Sequence, residues 1–279
     1  MQLTEKIFLI IGGDQRQIFL FNSLKEKGYK TEIIFNNNNT DKLSQLKEIL
    51  KADVIILPIP TSQDQIHLFA PNFCEKIKLE EITKLISPNA ILFTGGENKL
   101  FTACKTKRTI NLLADESMTL KNAMATAEAA LSIIINNTNA TVFDTKILIL
   151  GYGRIAKVLA NYLESLHSKV TVCARKPVAR TSAYLDGHTA IGFDCLDEDI
   201  GKYNIIVNTV PYLILDQNKL QKIDSNALLL DLASKPGGID FKAANEMNLK
   251  SIHALSLPGK YSPKSSAEYI ESAIFNTIL

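Results

Sequence analysis

Tryptophan is absent from this chain, and no C-x-x-C pair occurs anywhere in it. The four cysteines, Cys74, Cys104, Cys173 and Cys195, lie far apart, a spacing that fits reduced thiols in a cytoplasmic protein and gives neither a disulfide frame nor a metal site. Charge of one sign is also scarce. With 31 Lys and Arg against 29 Asp and Glu, the net charge is +2, which argues against nucleic-acid or membrane partners. No apolar run reaches the roughly 18–20 residues that cross a bilayer. The N-terminal "KIFLIIGGD" is too short in its apolar core and lacks a cleavage site, so it reads as a first strand.

What is present is ordinary globular composition, 46% hydrophobic and 22% charged over 279 residues, enough for two domains. In the first half, strands at Lys6–Ile11, Lys30–Phe35, "DVIILPIP" and "NAILFTGG" alternate with helical patterns near 17–27 and 43–50, with a polar "NNNNT" loop between. Short apolar strands separated by helices predict a parallel sheet covered on both faces. The alanine-rich stretch from Ser117 to Asn137 is apolar nearly all round and predicts a buried connecting helix. A second series follows through Lys146–Leu150, "KVTVCAR", "YNIIVNTVP", "ALLLDLAS" and "KSIHALSLPGK". The expected fold is therefore α/β. It has two doubly wound parallel-sheet domains, a flavodoxin/Rossmann-like N-terminal domain and an NAD(P)-binding Rossmann domain, with an interdomain cleft. The expected boundaries are 1–118, completed by a C-terminal helix at 264–279, a connecting helix at 119–137, and 144–262 for the Rossmann domain.

"LGYGRIAKVLA" carries the cofactor expectation. Gly151, Gly153 and Ala156 fit G-x-G-x-x-G/A after a clean strand and before an amphipathic helix. Gly151 permits a tight turn, and Gly153 lets backbone approach a pyrophosphate. Tyr152, Arg154 and Ile155 complete the turn and open a helix whose N-terminal N–H groups favour an anion. Where an NAD site carries Asp or Glu after the second strand, this chain has Ala174, Arg175 and Lys176. Two cations suit a 2′-phosphate, so NADP is favoured over NAD. Thr209, Val210 and Pro211 of "VNTVP" are expected against the cofactor. A plain strand-to-loop turn would also explain that proline.

Several segments together resemble the family formed by the A subunits of dipicolinate synthase in endospore-forming bacteria. They are "GGDQRQ", "ESMTLKNAMATAEAAL", "LGYGRIAKVLA", "VNTVP", "DLASKPGGIDF" and "ALSLPGKYSPKSSAEYI", in order over nearly the whole chain. The glycine motif is widely shared; "DLASKPGGIDF" and "LSLPGKYSPKSSAEYI" are far more particular. The chain departs at "TAEAAL", where the family pattern expects glycine after the glutamate, a change that touches packing more than chemistry. The resemblance implies conversion of a dihydro- or hydroxytetrahydro-dipicolinate into pyridine-2,6-dicarboxylate during sporulation. It also implies a flavoprotein partner, the B subunit of the synthase or a substitute. A homo-oligomer is compatible with it.

Such a dicarboxylate needs cationic or N–H partners. Asp14 and Arg16 lie at a helix start after two glycines, where Arg16 could grip a carboxylate bidentately; a surface arginine capping its own loop is the plain alternative. Gly95, Gly96 and Glu97 repeat the arrangement after the fourth strand, with Glu97 a candidate base. Asn122 and Thr126 lie one helical turn apart and could face the substrate or bond neighbouring backbone. Lys235 and Lys260 are candidate catalytic or carboxylate-holding residues. His253 is the best-placed histidine for proton transfer, and a hydrogen-bonded core histidine is an equal reading. An alanine-dehydrogenase-like amino- or hydroxy-acid dehydrogenase and a non-catalytic binding protein stand as alternatives to the enzyme reading.

Overall fold

In the computed structural model, residues 3–37, 41–104 and 106–278 are described; Asn38–Thr40 of the polar loop lie outside them. The chain divides into two compact units, residues 1–122 with 262–279, and residues 123–261. No helix among the described residues is long and apolar enough to cross a membrane.

The first unit alternates β1 (Ile7–Ile11), α1 (Gln15–Glu26), β2 (Lys30–Ile34), α2 (Lys42–Glu48), β3 (Val54–Ile56), α3 (Leu79–Thr83), β4 (Ile91–Thr94), α4 (Lys99–Thr102) and β5 (Arg108–Asn111). All strands pair in parallel in the order β2-β1-β3-β4-β5. Successive side chains of a strand leave on opposite faces, and here both faces are covered. In β1, Leu9 and Ile11 enter one core while Phe8 and Ile10 enter the other, all at 1% exposure or less. Sequence patterning missed β5, because "RTIN" is an edge strand with no apolar run.

Helix α5 (Glu116–Asn137) runs across the boundary between the units. Its alanines at 123, 125, 127, 129 and 130 are buried, but Leu120 and Ile135 are about half exposed, so the expectation of burial all round is corrected to a helix with one covered face.

The second unit contains β6 (Lys146–Leu150), α6 (Arg154–Ser165), β7 (Lys169–Cys173), α7 (Pro177–Leu185), β8 (Thr189–Ile191) and α8 (Leu196–Asp199). It continues with β9 (Ile205–Asn208), α9 (Gln217–Leu220), β10 (Leu228–Asp231), α10 (Phe241–Glu246), β11 (Lys250–His253) and α11 (Leu257–Tyr261). The six parallel strands are ordered β11-β10-β9-β6-β7-β8. That order is the doubly wound dinucleotide-binding arrangement, whose direction of winding reverses between its first and fourth strands. Those strands are β6 and β9, and they pair directly through Leu150 and Asn208. The last helix, α12 (Pro263–Ile278), returns to the first unit and lays Ala267, Ile270, Ala273 and Ile274 on the face formed by Phe8, Ile10 and Val54. Glu271 on α12 accepts from Ser23 of α1 at 2.9 Å and pairs with Lys27, fixing the rotation of the helix.

Candidate functional site

β6 delivers the chain to Gly151 with φ +94°, a left-handed conformation that side-chain-bearing residues resist. A second constraint comes from its neighbours. A Cβ at Gly151 would lie 2.6 Å from Thr209 Oγ1 and 2.8 Å from Val210 Cγ2. The "VNTVP" loop is thus pressed against the glycine turn, and Thr209 Oγ1 anchors it there by donating to the Leu150 carbonyl at 2.8 Å. Gly153, the N-cap of α6, faces open space and offers no side-chain oxygen to the first amides of the helix. α1, α9 and α10 instead have Asp14, Asp216 and Asp240 accepting from those amides. The orphan N–H groups of α6, beside a glycine-lined space, fit an anionic pyrophosphate. Ala156 is fully buried where α6 meets the sheet, Ile155 packs against the same core, and exposed Arg154 has an interaction of its own.

Tyr152 contributes to this turn through its backbone. Its side chain is buried, and its hydroxyl donates to Asp186 Oδ2 at 2.7 Å. Burial, with the Asp186 carboxylate beside it, pushes the Tyr152 pKa well up. At the end of β7, Arg175 and Lys176 are exposed, with Lys176 the N-cap of α7 and no acidic residue at either position. Arg180, which sequence reasoning passed over, donates through Nη1 to the carbonyls of Ala174 and Arg175, both at 2.9 Å. It pins the loop that carries the two cations. Its signal in the sequence was only its place one helical turn after Lys176.

The loop after β10 centres on Asp231, which is fully buried. Lys235 is exposed beyond it. Lys260 is exposed in α11, just before the last helix, and neither lysine forms an ion pair among the described residues. His253 is half-buried at the end of β11, its Nε2 3.2 Å from the Ala233 carbonyl and its ring stacked on Phe241 at 5.0 Å. A backbone carbonyl and an aromatic face therefore orient the ring through Nε2, and no hydrogen bond among the described residues engages Nδ1.

In the first unit, Arg16 is 3% exposed and therefore not a surface residue. Its Nε and Nη2 both donate to the Asp14 carboxylate at 2.8 Å, and Nη2 also reaches the Ile59 carbonyl at 2.5 Å. In this structure the fork holds Asp14, and Nη1 is the guanidinium nitrogen with no hydrogen-bond partner among the described residues. Asp14 also accepts from the Arg16 N–H, and Gln17 Oε1 accepts from the Asp14 N–H, closing the cap of α1. Gln17 Nε2, in a fully buried side chain, has no hydrogen-bond partner. Gly95 lies against Pro58 and Ile59, and its N–H donates to Thr61 Oγ1 at 2.7 Å. Arg16, Ile59, Thr61 and Gly95 therefore meet at the carboxyl ends of β1, β3 and β4, with Gly96 following at φ +138°. Sequence reasoning missed the Pro58–Thr61 segment, which joins the two predicted loops. Glu97 is exposed and makes no hydrogen bond among the described residues. On α5, Asn122 is half-buried and Thr126 buried, and each is engaged in an interaction of its own.

Comparison with known proteins agrees with this architecture. Residues 7–114 match the family model described as the N-terminal domain of the dipicolinate synthase A subunit. The chain is 28% identical to the A subunit of dipicolinate synthase from Bacillus subtilis (strain 168), over 98% of this chain and 95% of the relative. The crystal structure of the dipicolinate synthase A subunit from Bacillus halodurans superposes with a TM-score of 0.86 at 26% identity, covering 99% of this chain and 98% of that one. A transhydrogenase from Sinorhizobium meliloti shares the fold alone, at 12% identity, a TM-score of 0.64 and coverage of 96% and 93%. The chain is similar along its length to the A subunits of dipicolinate synthase, with two parallel-sheet α/β domains of dehydrogenase type.

Proposed function

We propose that this protein is the NADP-linked oxidoreductase component that forms pyridine-2,6-dicarboxylate from a dihydro- or hydroxytetrahydro-dipicolinate precursor. The observation that carries the proposal is the glycine turn at Gly151–Gly153, closed on one side by Thr209 and Val210 and followed by the uncapped start of α6. Its shape and dipole suit a pyrophosphate. Arg175 and Lys176, held by Arg180, suit a 2′-phosphate and support NADP over NAD.

When bound, the nicotinamide would supply the hydride acceptor. Aromatisation of the dihydro compound removes a hydride and a proton; the hydroxytetrahydro compound loses water as well. Lys235 and Lys260, both exposed and outside any ion pair among the described residues, are the proposed partners for substrate carboxylate or cofactor carboxamide. Within the first unit, Arg16 Nη1 and the Gly95–Gly96 backbone are proposed as carboxylate partners in their own right. A flavoprotein partner would take electrons onward where one is present.

The test supplies purified chain with the precursor and NADP+, and follows absorbance at the reduced nicotinamide band. NADPH formation that requires both precursor and chain is the expected result. One observation favours a second reading, a binding protein without its own redox step: the His253 ring is engaged by the Ala233 carbonyl and stacked on Phe241. Turnover that appears only when a flavoprotein is added would support that reading and overturn the first.

A further inference from the structure

Asn208 and Asp231 end adjacent strands, stand opposite each other in the register of β9 and β10, and are both fully buried. Asn208 Nδ2 donates to Asp231 Oδ1 at 2.8 Å and to the Val210 carbonyl at 2.9 Å, while Asn208 Oδ1 accepts from the Val210 N–H at 3.1 Å. Both main-chain groups of Val210 are therefore held by one side chain.

Asp231 holds the neighbouring loop in the same way. Its Oδ1 accepts from the Ala233 N–H at 3.0 Å and its Oδ2 from the Gly238 N–H at 2.7 Å. The carboxylate has no cationic partner among the described residues, so three N–H donors carry its stabilisation. The glycines fit around the pair. Gly237 sits at φ +85°, where a Cβ would lie 2.7 Å from Asp231 Oδ2, and a Cβ on Gly238 would run into the Asn208 amide. The "PGG" of this loop is thus shaped by the pair it encloses. Val210 in turn presses against Gly151, so a continuous chain of contacts runs from Asp231 through Asn208 and Val210 to the glycine turn.

We infer that Asn208 and Asp231 are positioning residues for the nicotinamide half of the dinucleotide: the buried amide–carboxylate pair fixes Thr209–Pro211 against Gly151 and sets the 234–238 loop next to it. The inference rests on the dinucleotide reading above. Neither side chain touches the ligand; each acts through the backbone it holds. Loss of the pair leaves Arg175 and Lys176 in place, because they belong to the β7 end of the sheet. The adenosine half should then bind as before.

The experiment compares the affinities of NADP+ and adenosine 2′,5′-bisphosphate, which lacks the nicotinamide half, for the unaltered chain, Asn208→Ala and Gly238→Ala. The second variant disturbs the pair from its other side by pressing a methyl on Asn208, and keeps the test open should the first fold poorly. In either variant NADP+ should bind about tenfold or more weakly, the order expected when a buried hydrogen-bond set is broken. The bisphosphate should bind within about twofold of the unaltered chain, inside the usual scatter for an independent site. Unchanged NADP+ affinity would overturn the inference, as would equal losses for both ligands, which would make the pair a general support of the domain. If the unaltered chain bound neither of these ligands nor NAD+, the dinucleotide reading itself would fall and this inference with it.

Discussion

Cys173 shows how burial sets the chemistry of one residue. It is fully buried at the end of β7, and desolvation pushes its thiol from an ordinary 9.0 up to about 12. At pH 8 the folded protein should alkylate at Cys74 and Cys195, which are exposed, and spare Cys173 until the chain unfolds. Mass spectrometry after timed iodoacetamide treatment checks this. The folded pKa is raised, so the contribution to stability is complete below pH 9 and is lost as pH climbs from 9 toward 12. Arg16 gives a second residue-scale expectation. Asp14→Ala leaves its guanidinium charge buried and unpaired and should cost about 3–5 kcal/mol in chemical denaturation. Asp14→Ala with Arg16→Ala should cost less than the sum of the two single changes, and strict additivity would argue against a coupled pair. The sequence placed Arg16 at a helix start, as found, yet it did not single out Asp14, only two residues earlier, as the group that occupies the fork. That depends on a helix cap turning both side chains to the same side.

Elements were legible in proportion to their apolar content. β1, β3, β4, β6, β7, β9 and β10 announce themselves as short runs of Ile, Leu and Val, because strands covered on both faces need them. β5 and β8 do not. One is an edge strand reading "RTIN" and the other is three residues long, and pairing with a neighbour rather than composition makes them strands. The strand end of β7 carries the cofactor argument. Arg175→Asp should weaken NADP+ by at least about tenfold while changing NAD+ little, since a charge-assisted phosphate contact is worth about 1.5–3 kcal/mol. Equal losses, measured by nucleotide titration, would remove the 2′-phosphate reading. On α12, Ile274 is completely buried against the β1–β3 face, and Ile274→Ala should cost about 2–5 kcal/mol. Thermal melting that moves by less than about a degree would show that the face is covered some other way.

At the scale of the whole molecule, the first unit is built from both ends of the chain, residues 1–122 and 262–279. Truncation after Tyr261 should expose Phe8, Ile10 and Val54 and loosen that unit, seen as new protease cuts before residue 122. The same truncation leaves every residue of the glycine turn and its Thr209–Val210 wall within 123–261, so nucleotide binding should survive it. What the sequence could not carry was the meeting of distant loops: Arg16 with Ile59, Thr61 with Gly95, Asn208 with Asp231. Each joins residues 23 or more positions apart through strand order, and strand order is absent from local pattern. The glycine turn was legible because its whole logic, strand, bend and helix, fits within Lys146–Ser165. The most direct measurement is calorimetric titration of the purified chain with NADP+, set beside Gly151→Ala. Here the left-handed backbone and the contact with Thr209 leave no room for a methyl. One binding site per chain, weakened about tenfold or more in the variant with its fold intact, is the expected result. Absence of binding to the unaltered chain, or equal affinity in the variant, would contradict it.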